Sequence, residues 1–128
     1  MKKEIIGTSE APGAIGPYSQ ALKIESSGMM FCSGQIALDP QTMEMVGTDA
    51  ASQTHQIMKN LTAVLKQAGL TLENVVKATV FLKNMDDFVK VNEAYADYFT
   101  EIKPARAAVE VSALPRNALV EIEAIACY

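Results

Sequence analysis

The chain has only one histidine and two cysteines. A zinc site of the usual Cys/His type cannot be assembled from so few in one chain, so no metal is expected. Cys32 and Cys127 lie far apart in strand-like contexts, the pattern of free reduced thiols in a cytoplasmic protein rather than of a disulfide framework. Positive charge is also scarce. Eleven Lys and Arg stand against 15 Asp and Glu, the net charge is −4, and Lys2 and Lys3 form the one adjacent basic pair. Phosphate backbones are held by clustered Lys and Arg, so no nucleic-acid partner is expected. No apolar run reaches the roughly 20 residues of a membrane-spanning helix. The opening MKKEIIGTSEAPGAIGPYSQ has lysines but no apolar segment of the signal-peptide kind, so a cytoplasmic protein with no membrane partner is expected. Linkers, low-complexity segments and internal repeats are missing too, and residues 1–128 read as one domain.

What is present is a globular balance, 49% apolar and 20% charged residues over 128 positions. A chain of this length buries ~65–70% of the surface it exposes when unfolded, enough for a core. KKEII and YSQALKIE read as short strands around a Gly/Pro loop, and GMMFCSGQIAL as a β-rich stretch ended by the turn DPQT. Gly34 inside that stretch predicts a bulge or a close approach of backbone to a ligand. DAASQTHQIMKNLTAVLKQAG predicts a helix with Ile57, Leu61, Val64, Leu65 and Ala68 as its apolar stripe, Thr48 or Asp49 as cap and Gly69 as stop. His55 reads as an ordinary half-buried helix residue. NVVKATVFLK alternates, with Val76, Ala78, Val80 and Leu82 expected on one covered face. MDDFVKVNEAYADYFTE predicts a second helix striped by Phe88, Val91, Tyr95 and Phe99 and stopped before Pro104.

Two closing strands, RAAVEV and LVEIEAIAC, are joined by SALPRNA. Ala107, Val109 and Val111 on one, and Val120, Ile122, Ala124 and Ala126 on the other, are expected beneath the helices. The opposite face would then carry Arg106, Ala108, Glu110, Glu121 and Glu123, with Glu110 and Glu121 nearly opposed if the strands form a hairpin. Two readings fit these residues, a solvated face with a charged rim and the floor of a pocket that holds an anion and moves a proton. The order β-β-β-α-β-α-β-β predicts an α+β, two-layer sandwich, one mixed sheet with two helices on one face. The other sheet face, with Phe81, Leu119, Ile125 and Cys127, is half apolar and predicts self-association.

IGPYSQA, CSGQIALDP, VKATVFLKNMDDFVKVNEAY and PARAAVEVSALPRNALVEIEAIA closely resemble the reactive intermediate deaminase A family of enamine/imine deaminases. Older labels in that family are translation initiation inhibitor and perchloric-acid-soluble ribonuclease. The resemblance spans nearly the whole chain. It implies a chorismate-mutase-like fold, a homotrimer with clefts between subunits, and no cofactor. It also implies hydrolysis of 2-aminoacrylate or 2-aminocrotonate and their imine tautomers to 2-oxo acids and ammonia. Carried over motif by motif, Arg106 would grip the substrate carboxylate, Glu121 would activate water, and Tyr18 would border the pocket. Ser33, Gly34 and Asn92 would add contacts. Ala108 stands where some relatives carry Cys, so its contact would come from the backbone carbonyl. Met43 stands where relatives often carry Gly in a turn, which would reshape a surface loop. A non-catalytic sensor of 2-oxo acids needs only Arg106, and ammonia release from fresh 2-aminocrotonate separates it from the enzyme. A ribonuclease or translation inhibitor ranks last, given one His and a net charge of −4.

Overall fold

The computed structural model describes residues 2–16, 18–25, 27–101 and 103–128, so Pro17 of the GPYSQ motif lies outside the described residues. The elements run β1 (Lys3–Ile6), β2 (Ala21–Ile24), β3 (Met29–Gln35), α1 (Ala50–Gln67), β4 (Val75–Leu82), α2 (Phe88–Ala96), β5 (Ala105–Glu110) and β6 (Val120–Cys127). The six strands form one sheet in the order β1-β2-β3-β6-β4-β5. β4 and β5 are parallel and every other pairing is antiparallel. Both helices pack on one face, as the element order predicts, and that layer contains the core: Met30, Ile57, Met58, Leu61, Leu65, Leu82 and Ile122 are almost wholly buried.

Helix α1 begins where Asp49 accepts the Ser52 N–H at 2.7 Å. It ends at Gly69, whose φ of +76° suits the glycine expected there. Helix α2 is shorter than its apolar pattern. Met85–Asp87 form a separate 3-10 turn capped by Asn84. The chain leaves the helix after Ala96, and Tyr98 turns to place its hydroxyl 2.9 Å from His55 Nδ1. Phe99 is still buried, beyond the helix end.

Three expectations fail for identifiable reasons. β5 and β6 are not a hairpin, because β4 lies between them. Hairpin loops hold ~2–5 residues, whereas the 111–119 connection is longer and lets β6 enter the middle of the sheet. Glu110 therefore does not oppose Glu121; it accepts the Met85 N–H at 2.8 Å. Val76 is exposed and Val75 is buried, because an extra residue bulges between Val75 and Lys77 opposite β6. Ala78, Val80 and Leu82 keep their predicted face.

The third failure concerns β5. Ala107 and Val109 are exposed, while Arg106 and Ala108 are half-buried toward the helices. Arg106 pairs with Ala78, whose row continues to buried Ala124. β5 is an edge strand, so its valines gain little from turning inward. Its guanidinium gains two aromatic rings on α2.

Candidate active site

Glu121 and Arg106 begin on opposite faces of one sheet. Side chains alternate along a strand. Glu121 aligns with Phe81 and Val109 on the open face, and Arg106 aligns with Ala78 on the helix face. Within one chain, then, the two do not share the polar face expected of them.

The Glu121 side is concave. A cavity of about 290 Å³ is lined by Pro12, Tyr18, Ser33, Gly34, Pro115 and Glu121, among others. β3 pairs Cys32 with Ala124 and Gln35 with Ile122, so Ser33 and Gly34 together face one residue of β6. This is the bulge that the internal glycine predicts. A Cβ at Gly34 would overlap the Glu121 carboxylate, so any side chain at this position would push Glu121 from its place. The β6 residue opposite the bulge is Glu123. Glu121 brings its carboxylate beside Gly34, half-buried, and that burial pushes its carboxyl above the ordinary carboxylate range, helped by the neighbouring charge of Glu123. A carboxylate raised in this way, at a cavity wall, can take up a proton and return it.

Ser33 is less available than its place suggests. Its hydroxyl donates to the Ser19 carbonyl at 2.7 Å and its N–H to the Gln20 carbonyl at 3.0 Å. To a ligand it offers oxygen lone pairs.

The walls hang on buried amides that sequence reasoning passed over. Asn60 of α1 donates to the Leu38 carbonyl at 2.9 Å. Gln53 accepts the Leu119 N–H at 2.9 Å and donates to the Gly47 carbonyl at 3.2 Å. Gln20 holds the 8–16 loop. A signal existed for two of them: Gln53 and Asn60 fall at helical spacing among Ile57, Leu61 and Val64, on the buried side of α1.

The rim beside Pro115 is held by strained backbone. Met43, Arg116 and Asn117 have φ of 59°, 55° and 56°, and Arg116 donates to the Met43 carbonyl at 2.8 Å. Met43 thus adopts the left-handed conformation that glycine adopts freely.

Arg106, Asn92 and Ala108 form a second group. The Arg106 guanidinium lies 4.8 Å from the Tyr95 ring centre and 5.7 Å from that of Phe88. Such stacking restricts its motion. Asn92 lies one helical turn from both rings, and Asn92 Oδ1 and the Tyr95 hydroxyl are buried with no partner among the described residues. Burial raises the Tyr95 hydroxyl above its ordinary value, against the pull of the guanidinium. No carboxylate pairs with Arg106 among the described residues. The arrangement is a cation over two rings, beside two buried polar atoms with no partner among the described residues. Four of the seven candidate residues line the cavity, Arg106 and Ala108 lie on the helix side of edge strand β5, and Asn92 lies on α2.

Comparison with known proteins gives this geometry its context. A model of the Endoribonuclease L-PSP family matches residues 8–128. A RutC family protein from Pyrococcus horikoshii is 55% identical over 124 residues, covering 97% of each chain. The 2-iminobutanoate/2-iminopropanoate deaminase of Mus musculus is 48% identical, over 97% of this chain and 90% of the mouse protein. The crystal structure of RidA from an Antarctic Psychrobacter superposes with a TM-score of 0.93 at 41% identity, covering 98% of this chain and 99% of that one. The chain belongs to the Endoribonuclease L-PSP family, which includes the Rid and RutC proteins.

Proposed function

We propose that this family member is a hydrolytic deaminase of reactive 2-enamine and 2-imine acids, converting 2-aminoacrylate and 2-aminocrotonate to 2-oxo acids and ammonia. The observation that carries the reading is the raised Glu121 carboxyl facing a cavity across the gap left by Gly34. The mouse relative's name supports the substrate class. The enamine first becomes its imine, whose carbon is already electrophilic. Ionised Glu121 accepts a proton from water as the water oxygen bonds to that carbon, and the C=N electron pair moves to nitrogen. The same carboxyl returns that proton to nitrogen, giving the carbinolamine. It then takes the hydroxyl proton and delivers it to nitrogen, and ammonia leaves as the carbonyl forms. Positioned acid–base help is worth ~10²–10⁴-fold, so these residues need no cofactor for the step.

The missing element is the grip on the substrate carboxylate, because Arg106 lies on the other face of its own chain. A neighbouring copy would supply it. Phe31, Val109 and Ile5 are exposed on the open face or at its edge, an apolar surface that a second chain would cover. The reading is a homotrimer with each cleft shared by two chains.

A coupled assay tests the activity: threonine dehydratase generates 2-aminocrotonate, and its disappearance is followed with and without this protein. No acceleration, together with retained 2-oxobutyrate binding, would leave a sensor in place of an enzyme. Assembly is tested separately. Tyr18→Ala and Arg106→Ala proteins, each inactive alone, are unfolded together and refolded. In an equal mixture about a quarter of the clefts carry both native residues if these come from different chains of a closed ring, so about a quarter of native activity should return. No recovery in verified mixed trimers would assign both residues to one chain.

The pH profile gives a further expectation. Glu121 works as base only when ionised, so activity should fall on the acid side at a higher pH than an ordinary carboxylate would set. Glu123→Gln removes the like charge that helps raise it, and should move that limb to lower pH with little change in the plateau. An unmoved limb would show that Glu121 does not govern it.

A further inference from the structure

We propose that Gln20 is a positioning residue: its side chain latches the 8–16 loop, and through it the Tyr18 side of the cavity, to the β3 bulge. The proposal rests on the deaminase reading only where it concerns catalysis.

The loop leaves β1 at Ile6 and reaches β2 at Ala21. It supplies Pro12, Ile15 and Gly16 to the cavity and leads into Tyr18. Backbone bonds between its own residues are few: among the described residues, Tyr18 N–H reaches the Gly16 carbonyl at 2.8 Å, and the Glu10 N–H reaches the Thr8 hydroxyl at 3.1 Å. Gln20 does the rest. Its Oε1 accepts the Thr8 N–H at 2.6 Å. Its Nε2 donates to the carbonyls of Thr8 at 3.0 Å, Pro12 at 2.6 Å and Ala11 at 3.3 Å. Two N–H protons serve three acceptors, so the longest contact is a shared one. One side chain thereby replaces the ladder that this loop lacks.

The latch also has a fixed base. Gln20 is 94% buried, being 6% exposed, and its carbonyl accepts the Ser33 N–H of the bulge. One residue therefore ties the loop to the strand segment beside which the Glu121 carboxylate lies. Ala11 and Pro12 anchor the loop's base by burial, whereas Gly13, Ala14, Ile15 and Gly16 are exposed. Without the amide, the outer loop has little to keep it against the cavity. A cavity wall that is in place only part of the time weakens apparent affinity by the fraction in place, while bound substrate draws it back.

Gln20→Met keeps the volume and removes every side-chain bond, while the backbone carbonyl still accepts the Ser33 N–H. Protection of the Thr8 amide, whose N–H the Gln20 Oε1 accepts, should fall on the order of ten-fold by hydrogen exchange, with α1 and β6 unchanged. KM for 2-aminocrotonate should rise on the order of ten-fold, with kcat within about two-fold. Native protection of that amide overturns the proposal, and so does a fall in kcat at constant KM, which marks lost folded enzyme. If the native protein proves not to deaminate, that reading falls, and Thr8 protection with 2-oxobutyrate affinity in place of KM still decides the latch. Should Gln20→Met not fold, Gln20→Glu takes its place, read by KM or by 2-oxobutyrate affinity. It keeps the Thr8 acceptor and sets a carboxylate against three carbonyl oxygens.

Discussion

Arg106→Lys is expected to lower kcat/KM for 2-aminocrotonate by about 10- to 100-fold while the melting temperature changes little. A carboxylate takes two parallel N–H bonds from a guanidinium and one from an ammonium. A hydrogen bond to a charged group is worth about 1.5–3 kcal/mol, and each 1.4 kcal/mol is tenfold. Stacking adds to the difference. The guanidinium lies over the Tyr95 and Phe88 rings, which restrict its motion before a ligand arrives. Lysine keeps the charge and loses the plane. The fold should tolerate the exchange, because Arg106 sits on an edge strand and its pairing with β4 runs through backbone. Native rates in the coupled assay would remove Arg106 from the substrate grip.

Local features of this fold were legible because local chemistry decides them. The Asp49 cap, the Gly69 stop, the α1 stripe and the bulge at Gly34 each follow from a few neighbouring residues. What the sequence withheld is non-local. Strand order depends on where a long connection can cross, and RAAVEV followed by LVEIEAIAC reads as a hairpin unless β4 is known to intervene. The β5 face was misread because Val109 is apolar and Arg106 is charged. Ring stacking on an edge strand reversed that ranking. Gly34 and Glu121 could be named together only through the resemblance. Their contact shows what a side chain at position 34 would displace. Gln20, Gln53 and Asn60 were passed over because a buried amide carries no chemistry of its own. Their work is to satisfy loop carbonyls and N–H groups, which periodicity does not reveal.

The second large effect is expected at Glu121→Gln. Turnover should fall by ~10²–10⁴-fold, the worth of positioned acid–base catalysis, while 2-oxobutyrate binds within a few-fold of native affinity. Glutamine has the shape of glutamate and fits the same gap over Gly34, but it does not take a proton from water at neutral pH. Stability provides an internal control with a definite sign. The folded protein raises the Glu121 carboxyl above its unfolded value through burial and the charge of Glu123. The native fold therefore has its full stability below the unfolded value and loses part of it as pH rises through the folded one. Glutamine is uncharged at every pH and escapes that loss. The variant should match the native protein in acid and be somewhat more stable at neutral pH, so lost turnover there cannot be blamed on unfolding. Denaturant midpoints at the two pH values check the sign. Native kcat in the variant would remove Glu121 from the proton transfer. A matching loss of 2-oxobutyrate affinity would make it a binding group instead.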